Sequence, residues 1–315
     1  MAGIPITSSA PGKVILFGEH AVVYGRAAIA APVTQVQASV TAEPAPDGSG
    51  LTIVAADLGQ SIHLAGTAEH DPLAAAARLT LAHLSAPEPD GTLTIHSTIP
   101  IAGGMGSGAA VSTALVRALA GLLGHQMEPA EVSEIVFEVE KIHHGTPSGI
   151  DNTVIAYEQP VYFVRGREIE RLTVGQPFTL LIGDTGTPSP TGQVVAQVRR
   201  NWQRDPARYD ALFDQIGAVA EEARRAIENG DIYALGPLMD DNHELLIDMG
   251  VSSPQLDDLV ETARQEGAMG AKLSGAGQGG NVIALVEQDL VERVTEALVQ
   301  AGAAQVIYTR VKSDA

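Results

Sequence analysis

The sequence predicts an α/β (α+β) protein of two domains, residues 1–176 and 177–315. Three observations carry this reading. The glycine-rich stretch Gly103–Gly108 runs directly into a helical pattern, strands and helices alternate in both halves, and a short apolar strand opens after the turn signal Gly175-Gln176-Pro177. With 315 residues and 45% hydrophobic content, the chain can bury a substantial core.

Ala10–Phe17 is an apolar, strand-like run interrupted by one lysine, Lys13, and it exits into Gly18-Glu19-His20. Val33–Thr41 and Leu51–Ala56 read as strands from their β-branched content, with the acidic Glu43–Gly50 as a hairpin loop between them. Leu73–Leu84 is alanine-rich and helical. Thr92–Ile99 is a strand that stops at Pro100, which cannot continue a central strand. From Ala109 the period changes: Val111, Leu115, Ala118, Leu119 and Leu122 form one helical stripe that ends near Gly121–Gly124. A second helix carries Val132, Ile135, Val136, Val139 and Ile142 on one face, with Glu140 at its flank. Past the linker come the strand Phe178–Gly183 and helices over Pro206–Asn229, Tyr233–Met249 and Pro254–Glu266. Strands Met269–Ser274 and Asn281–Val286 flank a glycine loop, and helix Leu290–Ala301 and strand Gln305–Val311 close the chain.

Composition excludes several function classes. A formal charge of −19 argues against a nucleic-acid partner, since such proteins present a basic face. No apolar run reaches the ~18 residues of a membrane span and no signal-peptide order opens the chain, so a cytoplasmic location is expected. There is no cysteine, which removes disulfides, thiolate metal sites and thiol catalysis. Of 19 basic residues only four are lysine, Lys13, Lys141, Lys272 and Lys312, and the first three fall within segments 11–25, 140–151 and 272–280. An ammonium is a compact point charge that the arginine fork does not reproduce.

The glycine loop lets backbone N–H groups approach an anion, and the helix that follows adds its positive end. An ordinary tight turn with Ser107 as helix cap is the competing reading. The loop lacks the Gly-Lys-Ser/Thr of a Walker A motif. It satisfies the loose G-x-G-x-x-A pattern through Gly104, Gly106 and Ala109, and Gly275–Gly280 satisfies the G-x-G-x-x-G form, but between two strands with no helix opening from it. Asp151 follows Pro147-Ser148-Gly149 and is expected on a fixed turn after the second helix. Lys13 alone is equally a snorkelling edge residue, and Glu19 and His20 a solvated turn. Together these segments offer what phosphoryl transfer requires: an anion cradle, a carboxylate for a metal, a carboxylate at the nucleophilic hydroxyl, and a cation.

Lys13 with Gly18–Gly25, Glu140–Asp151 and Lys272–Gly277, supported by Leu238–His243, closely resemble the three ordered motifs of the small-molecule kinases named for galacto-, homoserine, mevalonate and phosphomevalonate kinases (GHMP kinases). The resemblance spans nearly the whole chain. It implies an N-terminal α/β domain that binds ATP and a ferredoxin-like C-terminal domain, with the active site in the cleft between them. The chemistry implied is ATP-dependent phosphorylation of the 5-hydroxyl of mevalonate.

By the same resemblance Gly103, Gly104, Met105, Gly106, Ser107, Gly108 and Ala109 wrap the ATP phosphates, and Glu140, with Ser107 or a water, holds Mg²⁺. Asp151 acts at the hydroxyl with Lys13 beside it, and Glu19, His20 and Thr191 line the substrate pocket. Many relatives carry two consecutive serines in the loop, whereas here Gly108 follows Ser107. Small-molecule partners are implied, with no nucleic acid and no membrane, and the chain leaves room for a homodimer. The rival readings are a phosphomevalonate or sugar kinase, which needs further cations or sugar-hydroxyl partners, a nicotinamide dehydrogenase argued from Gly104-Met105-Gly106, and a catalytically silent ligand sensor. Retention of Lys13, Glu140 and Asp151 together speaks against the last.

Overall fold

The computed structural model describes residues 4–100, 103–144 and 147–313. The chain divides into two compact units, one of residues 1–12, 36–99 and 106–158, the other of residues 13–35, 100–105 and 159–315. Each is mixed α/β.

The first unit holds the opening half of β1 (Ile6–Phe17) and the second half of β2 (Ala27–Pro44), then β3 (Leu51–Ala55), β4 (Gln60–His63) and β5 (Gly91–Ser97). Helices α1 (Pro72–His83), α2 (Ser107–Leu122), α3 (Pro129–His144) and α4 (Ile150–Tyr157) pack on one another. Asp71 starts α1 by accepting from the Ala74 N–H at 2.9 Å, with Pro72 at the first helical position, where its missing N–H costs nothing. The hairpin expected across Glu43–Gly50 does not form. Strand β5 lies between β2, to which it is antiparallel, and β3, to which it is parallel, and β3 takes its antiparallel partner from β4. Two β-rich neighbours in sequence look alike whether they pair or flank a third strand, because pairing is decided by the faces they bury.

The second unit carries the remaining halves of β1 and β2, with β6 (Val161–Val164) antiparallel to β2 and β7 (Glu170–Arg171) antiparallel to β6. Its four-stranded sheet is built from β8 (Phe178–Asp184), β9 (Gly270–Ser274), β10 (Asn281–Val286) and β11 (Gln305–Val311) in the order β11-β8-β10-β9, all pairs antiparallel. This is the ferredoxin-like order that the family resemblance implied. Helices α5 (Thr191–Arg204), α6 (Pro206–Asn229), α7 (Ile232–Met249), α8 (Pro254–Gln265) and α9 (Val291–Gln300) complete the unit. Leu212, Phe213, Ile216, Leu246, Leu259, Leu273 and Ala284 belong to its core, and Tyr24 stacks on Phe213 with ring centroids 4.0 Å apart. Among the described residues no helix is long and apolar enough to cross a membrane.

Helix α7 and strand β9 approach so closely that neither tolerates a side chain at the contact. A Cβ on Gly236 would lie 2.1 Å from the Met269 carbonyl oxygen, and one on Gly270 would lie 2.2 Å from the Gly236 oxygen. Gly192 in α5 has nothing within 4 Å. Gly236→Ala is therefore expected to destabilise the protein by roughly 1–3 kcal/mol or more through backbone displacement. Gly192→Ala is expected to raise stability by about 0.5–1 kcal/mol through helix propensity. Urea unfolding of the two variants checks both signs.

Candidate active site

The residues singled out by sequence fall into two groups, one in each unit. In the first unit α2 starts at Ser107, and its N-cap is Gly106 at φ 72°, with no side-chain cap hydrogen bond. Ser107 is thus the first helical residue rather than the cap, which leaves the helix's opening amides unpaired by a capping side chain. Glu140 is only 5% exposed, and a Cβ on Gly108 would sit 3.5 Å from its Oε1. Ile142, expected on the buried stripe of α3, is 41% exposed, so Glu140 takes the stripe position that spacing from Val132, Val136 and Val139 defines. A buried carboxylate on an otherwise apolar face, aimed at a helix N-terminus, is costly unless something cationic or polar engages it.

Asp151 lies in the first turn of α4, whose N-cap is Gly149 in the left-handed region. The turn expected at this residue is therefore a helix start, because Gly149 allows the chain to reverse and re-enter a helix at once. Asn152, its neighbour, donates to the Ser133 carbonyl and hydroxyl at 3.1 and 2.9 Å and ties α4 to α3. Gly145 and Thr146 of the same motif lie outside the described residues.

The second unit gathers the remaining residues around the end of β1. Lys13 is 3% exposed, and its backbone N–H donates to the Met105 carbonyl at 3.0 Å, so the first part of the glycine loop is tied to the strand that carries the lysine. Both backbone groups of Ile15 meet the Ser274 hydroxyl, at 3.1 and 2.9 Å. Beyond Phe17 the chain turns at Gly18, φ 94°, where a Cβ would lie 2.4 Å from the Ala27 carbonyl oxygen, so no other residue fits.

Glu19 has no solvent exposure, and its Oε1 pairs with the Lys272 ammonium, which is equally buried. Lys272 also donates to the Leu273 carbonyl at 2.6 Å, and Asn242 Nδ2 donates to Glu19 Oε2 at 3.4 Å while its Oδ1 accepts from the Gly18 N–H at 3.5 Å. Burial pushes the Glu19 carboxyl up and the Lys272 ammonium down, and their mutual attraction, with Lys13 adding to it at Glu19, opposes both.

His20 also has a left-handed backbone, φ 59°, and its Nε2 lies 2.9 Å from the Ala276 carbonyl. A carbonyl only accepts, so Nε2 carries the proton; burial lowers the ring's pKa, so the imidazole is neutral and its Nδ1 is left as an acceptor. Thr191 is the first residue of α5, half-buried.

Lys272, Asn242 and His243 are the members of this group to which sequence gave no role. The signals were present in the scarcity of lysine and in the segment Leu238–His243, but a charge inside a strand does not name its partner. Gly275–Gly280 joins two antiparallel strands, and a Cβ on Gly277 would lie 2.0 Å from the Val251 carbonyl oxygen. Gly277 and Gly279 serve close packing, and the loop leads into β10 with no helix to receive a dinucleotide.

His243 is buried behind Lys272, with Nδ1 accepting from the Leu273 N–H at 3.3 Å and Nε2 facing Asp257 at 3.4 Å. Burial, then the charges of Arg264 and Lys272, lower its pKa from 6.5 to about 3. The folded ring refuses a proton that the unfolded chain accepts below pH 6.5. The stability it contributes is therefore complete above that pH and is lost as pH falls towards 3, by up to about 1.4 kcal/mol per unit. Thermal unfolding at pH 7 and pH 5 is expected to show a smaller acid loss for His243→Gln than for the parent chain; equal losses contradict the assignment.

Comparison with known proteins agrees with this architecture. The model of the GHMP kinases N terminal domain matches residues 72–159, and that of the GHMP kinases C terminal domain matches residues 223–304. Mevalonate kinase of Thermococcus sibiricus is 35% identical, and mevalonate kinase of Pyrococcus furiosus 34%, each over 94% of this chain and 94% of its own length. The crystal structure of L. major mevalonate kinase in complex with R-mevalonate superposes with a TM-score of 0.85 at 30% identity, covering 100% of this chain and 98% of that one. Methanococcus jannaschii mevalonate kinase gives 0.82 at 26% identity, over 98% of each chain. Streptococcus pneumoniae phosphomevalonate kinase, at 17% identity and a TM-score of 0.82, shares the fold. The relatives named above at 30% identity or more are mevalonate kinases, and the chain belongs to the GHMP kinase family.

Proposed function

We propose that the protein transfers the γ-phosphoryl group of ATP to the 5-hydroxyl of mevalonate, in one direct in-line step. The observation that carries this is the full-length likeness to mevalonate kinases, together with the R-mevalonate held by the L. major relative. In the step, the hydroxyl oxygen forms a bond to the γ-phosphorus as the bond to the β,γ-bridging oxygen breaks, and ADP leaves. The hydroxyl proton passes to Asp151 or is oriented by it on its way to the product phosphate. Lys13 steadies the oxygen as it gains charge. His20, with a neutral ring and Nδ1 as acceptor, suits a substrate hydroxyl, and Glu19 and Thr191 belong to the same substrate side. The division at residues 176 and 177, a cytoplasmic location and a homodimer extend this reading.

Gly103–Ala109 cradles the phosphates through its amides and the N-terminus of α2. Mg²⁺ belongs to the same proposal. Among the described residues no group of three or more acidic or histidine side chains converges as a metal cage, whereas one buried carboxylate, Glu140, approaches the start of α2. That set fits a magnesium ion held chiefly by phosphate oxygens and water, with Glu140 and Ser107 as its protein ligands. When bound, the ion neutralises charge on the transferring group.

A coupled ADP-release assay across mevalonate, phosphomevalonate, homoserine and galactose tests the function, with turnover expected for mevalonate alone. Asp151→Asn is expected to lower that turnover roughly 10²–10⁴-fold while calorimetric binding of ATP and mevalonate stays near normal. Intact turnover removes Asp151 from the reaction, and loss of both ligands with a lowered melting temperature makes it a helix-starting residue only.

A further inference from the structure

Asn281 opens β10 opposite Asp184 of β8 and Ser274 of β9, and it is 1% exposed. Its Nδ2 donates to the Gly103 carbonyl, the first residue of the glycine loop, while its Oδ1 has no partner among the described residues. Gly280, the neighbouring residue, is fixed by three bonds: its N–H donates to Thr187 at 2.9 Å, and its carbonyl accepts from the Thr185 N–H at 2.9 Å and hydroxyl at 2.8 Å. The asparagine therefore projects from a rigid strand end.

A trans peptide points its C=O and N–H in opposite directions. Holding the Gly103 oxygen fixes the peptide plane that it shares with Gly104, and the Gly104 N–H is aimed away from Asn281. That N–H has no hydrogen-bond partner among the described residues, and Gly104 sits at φ 75°, a conformation that glycine adopts without strain. At the loop's other tether, Met105 accepts from the Lys13 N–H. Two anchors thus bracket one peptide whose donor is left over.

We propose that Asn281 is a positioning residue for nucleotide binding: by gripping the Gly103 carbonyl it aims the Gly104 N–H at a phosphate oxygen of ATP. The inference rests on the ATP-dependent reading given above and adds a residue that acts on the phosphates without touching the alcohol substrate. It concerns the phosphate contact and not the adenine, so its signature is a loss of affinity confined to phosphorylated ligands.

Calorimetric titration of ADP and of adenosine into the whole protein tests this. For Asn281→Leu, which keeps the volume and removes the donor, ADP affinity is expected to fall roughly 10- to 100-fold, the range of a hydrogen bond to a charged group. Adenosine affinity and the KM for mevalonate are expected to stay within about twofold. Asn281→Asp, which sets a carboxylate against the Gly103 carbonyl, is expected to lose more. An Asn281→Leu protein with the parent's preference for ADP over adenosine overturns the assignment, as does an equal loss for both ligands. If neither variant folds, amide spectra of the unaltered protein decide: the Gly104 resonance moves with ADP and not with adenosine if the proposal holds, and with neither if it does not. Turnover of mevalonate by the unaltered protein tests the underlying reading separately, so the two failures are distinct.

Discussion

The turn that follows β1 depends on one buried ion pair, Glu19 with Lys272, neither of which reaches solvent. Taking a carboxylate and an ammonium out of water costs several kcal/mol each, offset only when each charge has its partner and its remaining polar atoms are bonded. Here that condition is met by Asn242 on one side and by the Leu273 carbonyl on the other. Because each charge requires the other, the turn after β1 has one place to sit. Gly18 takes the conformation that only glycine permits there, and His20 is delivered to the Ala276 carbonyl with one ring nitrogen committed and one available. Segments 253 positions apart in the chain thereby act as one rigid part.

In the reading proposed above, a chain with a net charge of −19 has to receive two anions. The surface field does not attract them, so the attraction must be local. In that proposal each unit supplies its own donors, the amides at the start of α2 in the first and Lys13, 3% exposed, in the second. Preorganised donors of this kind stabilise charge as it develops, without having to reorient at the moment of reaction.

Much of the fold was legible in the sequence where local chemistry decides it. Helix α6 spans Pro206–Asn229 as expected, since Asp205 and Pro206 mark its start and Gly230 its end, and β10 and β11 also match their expected bounds. Strand partnership was not legible, as β5 between β2 and β3 shows. Helix α4 has only eight residues and α5 buries only Val194 and Val198, so neither offers an apolar stripe long enough to read. The candidate residues Lys13, Glu19, His20, Glu140 and Asp151 stand out in the sequence because lysine is rare here and the motifs are dense. The links that hold them do not, since nothing local to Lys272, Asn242 or Asn281 names Glu19, Gly18 or Gly103.

A double-mutant cycle on Glu19 and Lys272 tests the central claim most directly. Glu19→Gln and Lys272→Met, each leaving one buried charge alone, should each cost roughly 3–5 kcal/mol of unfolding free energy, and the double variant should recover most of one loss, giving a coupling energy of about 2 kcal/mol or more. Costs that simply add would show that the two side chains do not depend on each other, and would contradict the account.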